Sequence, residues 1–214
     1  MTARTTGVTL GQQTVGAFLD DLAARVPAPG GGATAALHAA QAAALLSMVA
    51  RYTTGKKYAA AADVVKNVLR ASEAERAIAM RLAADDVAAF TAVTDAYGLP
   101  RDTHEDKERR TAAIAAALAQ AASPPAGVIR LATSLMSLAE ELLPVANPNV
   151  ITDVAAAGEA ARAAATTARL NVEINLGGIR DEPVRQALLD TLAQVDDLTV
   201  RAAAVERSVR EALR

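Results

Sequence analysis

The chain contains no cysteine, no tryptophan and only two histidines. Without cysteine there can be no disulfide framework, no thiolate metal site and no thiol nucleophile. His38 and His104 are isolated, each without a second histidine at ligand spacing, so no metal site is expected. Aromatic residues make up 2% of the 214 positions, and a core so poor in rings must be built by close approach of thin elements. An excess of one charge is also missing. With 22 Lys and Arg against 24 Asp and Glu the net charge is -2, which gives no electrostatic reason for a nucleic-acid partner.

Long unbroken apolar runs are lacking too. The most membrane-like stretch, Ala33 to Ala50, is mostly alanine and carries His38, Gln41 and Ser47, short of the ~20 predominantly apolar residues of a span. No membrane partner is therefore expected. Residues 1–13 are polar, rich in Thr and Gly, and have no apolar centre of the secretory type. They read as a loose arm before a single domain over 14–214, in a cytoplasmic protein.

What the chain does have is alanine, 52% hydrophobic residues and helix punctuation. Thr14 can cap a helix reaching to about Val26; a second is expected from Ala33 to about Thr53, stopped at Gly55. Lys57 to Tyr97 contains neither Gly nor Pro and predicts one long third helix ending at Gly98-Leu99-Pro100. Thr103 with Asp106 is a variant capping box for a fourth, ended near Ala122 by Ser123-Pro124-Pro125. A fifth runs from about Ala126 to Val145, and a sixth from Val150 to about Leu176, though Leu170 to Leu176 alternates like a short strand. Asp181 and Pro183 open a last helix extending toward Arg214. The fold class is all-α, a single-domain bundle of about seven helices.

The turn Val26-Pro27-Ala28-Pro29-Gly30-Gly31-Gly32-Ala33-Thr34 combines prolines that forbid helix, glycines that admit close approach, and the free amides of a helix start. It is a candidate oxygen-binding corner or a plain connection; it is neither a P-loop nor a dinucleotide fingerprint. On the third helix Ile78, Leu82, Ala89, Val93 and Tyr97 gather on one arc, with Asp86 near its middle and Asp85 at its edge. Met80 and Val87 form a second apolar side, so the helix should be sandwiched in the bundle. A carboxylate facing such packing must find donors or keep its proton, which is also how an acid or base is made.

Lys56 and Lys57 suit a helix C-terminus or a carboxylate ligand equally. Asn147, Asn149 and Asp153 straddle the start of the sixth helix; Asn149 reads as a cap and Asp153 as dipole compensation. Asn171 and Asn175 share a helix face among apolar neighbours, where they tie helices together or read a polar heterocycle. Arg109-Arg110 is a solvated face.

Taken in order, Pro29-Gly30-Gly31-Gly32, Ser47-Met48-Val49, Gly55-Lys56-Lys57-Tyr58, Asp86 with Ala89-Phe90, Ala96-Tyr97-Gly98-Leu99-Pro100, Glu105-Asp106-Lys107, Asn147 to Asp153 and Asn171 to Asn175 resemble the cyclodeaminase/cyclohydrolase family. The resemblance covers about residues 14–180, and ordered motifs are far more specific than any one alone. Ala33 stands where members usually place Ser or Gly, Ala146 replaces the Gly of a Gly-Asn pair, and Thr152 replaces a Ser.

The resemblance implies an all-helical homodimer that handles a one-carbon unit on tetrahydrofolate, with no cofactor beyond that substrate. It implies Asp86 as the catalytic acid/base. Pro29, Gly30, Gly31, Gly32, Lys56, Lys57, Asn147, Asp153, Asn171 and Asn175 become substrate-binding candidates, the lysines as partners of the anionic glutamate tail. Standalone chains of this kind hydrolyse methenyltetrahydrofolate to formyltetrahydrofolate. The alternatives are cyclodeamination of formiminotetrahydrofolate with release of ammonia, and a non-catalytic folate-binding or scaffold dimer.

Overall fold

The computed structural model describes residues 10–214; most of the expected N-terminal arm lies outside the described residues. Its last residues, Leu10–Gln12, form a 3-10 turn, and Leu10 packs against the core. All regular structure in the described residues is helical: α1 Val15–Ala23, α2 Gly31–Tyr52, α3 Ala62–Tyr97, α4 His104–Ala121, α5 Ser123–Leu142, α6 Ile151–Leu176, α7 Glu182–Leu192 and α8 Gln194–Ala212.

Most expected boundaries fall where the caps put them. Thr14 Oγ1 accepts from the Ala17 N–H at 3.1 Å, and Thr103 with Asp106 forms the reciprocal capping box of α4. Other boundaries shift for identifiable reasons. α1 stops at Ala23 rather than Val26, because Ala24 is already extended. α2 starts two residues before Ala33, with Gly30 as its cap and the Gly30 carbonyl accepting from the Thr34 N–H at 3.0 Å. Lys56–Ala61 winds as 3-10 helix before α3, after Gly55 turns the chain at φ 94.

Pro124 and Pro125 do not open a loop. They occupy the first turn of α5, where a missing N–H costs nothing, so only one residue, Ala122, itself in helical conformation, separates α4 from α5. The expected last helix is broken in two at Ala193. There Thr191 Oγ1 bonds back to the Ala187 carbonyl at 2.9 Å, a contact that bends helices. Leu170 to Leu176 is the end of α6 and not a strand.

α2 is the axis of the bundle. Ala33, Ala35, Ala36, Ala39, Ala42, Ala43 and Ala50 are fully buried on several of its sides, against α3, α5 and α6. By length and composition α2 is apolar enough to cross a membrane, as is the continuous run His104–Val145; α2 is mostly buried among its neighbours. Small side chains allow the close helix approach that the scarcity of aromatics requires.

Both long neighbours of α2 run antiparallel to it. Toward one end Ser47 Oγ meets Ser72 Oγ at 2.8 Å, and toward the other Gly32 meets Asp86, which aligns α2 against α3. For α6, the Asn147 Nδ2 donates to the Tyr52 carbonyl at one end, and Asn171 lies against Gly31 at the other. α8 is pinned to α5 by Arg201, which donates to Glu140 at 2.9 and 2.7 Å and to Ser137 Oγ at 2.8 Å.

On α3 the buried stripe is Val65, Val68, Ser72, Ala79 and Ala83. Ile78, expected within the packed arc, is 37% exposed, so the arc lies rotated from its expected place. Asp86 continues the buried stripe by the next helical step, and is itself half-buried.

Candidate functional site

Unequal helix lengths create the site. α2 has 22 residues, α3 has 36 and α6 has 26, and near Gly31 both longer helices run on past the start of α2, since Asp86 and Asn171 meet its first residues. Past Gly31 there is no more α2, so the ends of α3 and α6 overshoot it and lack a partner between them. The space left is a cavity of about 560 Å³.

Its floor is the start of α2, Gly30 to Gly32, entered through Pro27 and Ala28. One wall is the overshooting stripe of α3, Asp86, Phe90, Val93 and Tyr97, spaced by alternating helical steps of four, three and four. The opposite wall is α6, with Asn171, Ile174 and Asn175, followed by Gly177 and Gly178. Leu118 and Ala121 of α4 close the remaining side.

Asp86 is held at the floor. A Cβ on Gly32 would lie 2.0 Å from Asp86 Oδ1, a separation no side chain can take, so only glycine lets the carboxylate rest on the helix start. The Ala33 N–H bears on that carboxylate and favours its ionised form, yet burial outweighs it and the Asp86 pKa is raised above 3.8. Among the described residues no Lys, Arg or His lines this cavity, and Asp86 is its one carboxylate.

The two asparagines spend a donor each on their own helix. Asn171 Nδ2 donates to the Thr167 carbonyl at 2.9 Å and Asn175 Nδ2 to the Asn171 carbonyl at 2.7 Å. Among the described residues nothing donates to their Oδ1 atoms, which are acceptors at the cavity wall. The floor amides are donors. Phe90 is 47% exposed, Tyr97 52% and Ile174 81%, large apolar surfaces that face one another across the opening. The arrangement suits a flat heterocycle with hydrogen-bond donors on one edge, an oxygen on another, and neutral or positive charge.

Of the sequence-derived residues, Asp86, Gly30, Gly31, Gly32, Asn171 and Asn175 come together here. Pro29 is half-buried beside the floor, joined to Ala28 by a cis peptide bond. Lys56, Lys57, Asn147 and Asp153 do not join them within this protomer. They cluster at the far end of α2, which at 22 residues is about 33 Å long.

Asn147 there has a structural task. Its Nδ2 donates to the Tyr52 carbonyl at 2.8 Å and its N–H to Thr53 Oγ1 at 3.0 Å, closing the C-terminus of α2, while its Oδ1 accepts from the Asn149 N–H at 3.1 Å. The capping role expected of Asn149 thus belongs to Asn147. Lys57 Nζ lies 5.3 Å from the Tyr58 ring centre. The sequence reading gave no role to Phe90, Leu118 or Ile174. Phe90 and Tyr97 could have been found from the spacing of Asp86, Phe90, Val93 and Tyr97, but Leu118 and Ile174 arrive from distant elements.

Glu75 is a second buried carboxylate that sequence reasoning passed over. It sits between α3 and α5 with Ser134 Oγ donating to Oε1, while Oε2 is buried without a partner, and burial raises its pKa. It lies outside the cavity wall.

Among the described residues this is an all-helical domain with one carboxylate set on a glycine helix start, in a cavity lined by no Lys, Arg or His. Residues 14–194 match the family model described as formiminotransferase-cyclodeaminase, and the chain belongs to that family. It is 38% identical over 205 residues to a methenyltetrahydrofolate cyclohydrolase of Methylorubrum extorquens, covering 95% of this chain and 97% of that one. It is also 33% identical over 171 residues to the formimidoyltransferase-cyclodeaminase of Rattus norvegicus, spanning 79% of this chain but 32% of that protein. The fold is that of formiminotetrahydrofolate cyclodeaminase from Thermotoga maritima, with a TM-score of 0.79, 30% identity and coverage of 95% and 96% of the two chains.

Proposed function

We propose that the protein is a cytoplasmic methenyltetrahydrofolate cyclohydrolase, with Asp86 as its acid/base and no cofactor beyond the folate substrate. The observation that carries this reading is the Asp86 carboxylate, the one among the described residues in a cavity that none of their cations lines. The likeness over nearly the full length of the Methylorubrum extorquens cyclohydrolase supports it.

The substrate's methenyl carbon is part of a cationic amidine. Placed beside Asp86, the cation favours the ionised carboxylate that burial alone disfavours, so binding readies the base. Asp86 takes a proton from a water as its oxygen bonds to that carbon. The hydroxyl proton of the adduct then passes to the departing nitrogen as the C–N bond breaks. Formyltetrahydrofolate and one proton are the products, and the atoms balance with no further reactant.

Gly30, Gly31 and Gly32 amides meet a pterin oxygen, Pro29 holds their turn, and the Asn171 and Asn175 carbonyl oxygens accept from pterin N–H groups. In this reading the protein is a homodimer. Lys56, Lys57, Asn147 and Asp153 reach a substrate at Asp86 only if a second copy brings its own α2 C-terminus to the cavity.

The test follows the near-ultraviolet band of methenyltetrahydrofolate with the parent protein and Asp86→Asn. Accelerated decay that the variant loses is the expected result. Appearance of that band from formiminotetrahydrofolate, with ammonia, would instead identify a cyclodeaminase, the reading the Thermotoga maritima likeness favours. A folded protein that binds folate and does neither would be a scaffold.

A further inference from the structure

Resting on that folate reading, we infer that the anionic tail of the substrate lies along α4 of the same protomer, held by Lys107 and Arg180. The Asp86 cavity does not suit the tail: among the described residues no cation lines it, and its one carboxylate would repel it. Lys56 and Lys57 of the same protomer are about 33 Å away along α2, so only those of a second copy compete with Lys107 and Arg180 for the tail.

A second depression of about 570 Å³ is lined by Lys107, Glu108, Thr111, Ala112, Ala115 and Arg180, two cations and one carboxylate. It continues the first along two elements. On α4, Lys107, Thr111, Ala115 and Leu118 follow one another at helical steps of four, four and three, so they lie on one stripe, and Leu118 belongs to the first cavity. On the other side Gly178 lines the first cavity and Arg180, two residues on, the second. Leu118 rests on Gly178 between them, where a Cβ on the glycine would come 2.2 Å from Leu118 Cδ1. Lys107 lies 11 residues from Leu118 along α4, about 16 Å, a span suited to an aminobenzoyl-glutamate arm.

The charges of this depression are available. Among the described residues, Arg109 pairs with Asp106 at 2.7 Å and Arg110 donates to the Tyr97 carbonyl at 3.2 and 3.3 Å, while Glu108 lies 3.3 Å from His104, an ion pair only when that ring is protonated. Lys107 and Arg180 make no ion pair. Two uncommitted cations at the end of an apolar trough recognise carboxylates, and a longer tail offers them more.

The experiment compares Lys107→Glu/Arg180→Glu with Lys56→Glu/Lys57→Glu at low salt. Each is given methenyltetrahydrofolate with one glutamate, with several, and a methenyl-tetrahydropterin whose arm has no glutamate. The first variant should raise KM about ten-fold or more for the polyglutamate, less for the monoglutamate and under two-fold for the tail-less compound, with kcat held. Equal losses on all three compounds, no loss on any, or a loss confined to the Lys56/Lys57 variant would overturn the assignment. Calorimetric binding of tetrahydrofolate with one or several glutamates reads the same difference without turnover. If the parent hydrolyses nothing, the cyclohydrolase reading falls while the calorimetry still decides the tail.

Discussion

Gly32 and Asp86 meet so closely that a single added methyl group on the glycine would overlap the carboxylate, at 2.0 Å from Oδ1 and 2.4 Å from Cγ. One residue comes from the start of α2 and the other from late in α3, so this contact is also where the antiparallel pairing of the two helices ends. The same contact that ends the packing places the reactive group.

Gly32→Ala should therefore displace Asp86 and cost at least a hundred-fold in kcat while leaving the helical circular dichroism unchanged. Gly30→Ala should cost less than five-fold, because Gly30 is extended, at φ -145, and a Cβ there meets nothing within 4 Å. Equal losses in the two variants would mean the glycines serve as a loop and not as a seat for Asp86.

Asp86→Asn removes the base, and a loss of about 10² to 10⁴ in kcat is expected. It should also stabilise the protein. The native state holds the Asp86 proton to higher pH than the unfolded chain, so its ionisation opposes folding as pH rises from the ordinary value of 3.8 through the raised one. The Tm gain of the variant should be present at neutral pH and vanish near about pH 3, where both states are protonated. A variant less stable than its parent at neutral pH would contradict this account.

In the parent enzyme the acid limb of kcat/KM, which reports the free protein, should rise with a midpoint above 3.8, since burial outweighs the Ala33 amide. The acid limb of kcat should fall at lower pH than that of kcat/KM, because the bound cation favours the carboxylate. Identical limbs would place the substrate charge away from Asp86.

Phe90→Ala should raise KM about two- to ten-fold by removing one face from the ring site, with kcat little changed. Its ring is already 47% exposed in the free protein, so the melting temperature should hardly move.

Arg201→Ala breaks the forked pair with Glu140 and the bond to Ser137 that fasten α8 to α5. The group is partly exposed, so about 1 kcal/mol is expected, a Tm loss of about 2–4 °C for a chain of this size. Activity at saturating substrate should stay within two-fold, since Arg201 does not line the cavity.

The helices and most of their caps were legible because each is a local matter: a Thr or Asp accepting from an amide three residues on, a Gly where the chain must turn. Asp86 was legible for a related reason, its place in a helical period. Pro124-Pro125 misled because the same residues end one helix or begin another, and only their place in the first turn of α5 shows which. Nor does local sequence reveal which end of α2 meets Asp86. That depends on antiparallel register, written in pairs such as Ser47 with Ser72, whose partners are far apart in the chain. For this reason Lys56, Lys57, Asn147 and Asp153 looked like neighbours of Asp86 when listed as polar residues, and stand at the opposite pole of the bundle.

Because the cavity exists only where α3 and α6 outlast α2, its depth is adjustable without touching any wall residue. One extra turn at the start of α2 would advance its tip by about 5.4 Å and plug the chamber, whereas trimming a turn would deepen it and leave Asp86 without its seat. A chain built this way can alter the size of the molecule it accepts by lengthening or shortening a single rod.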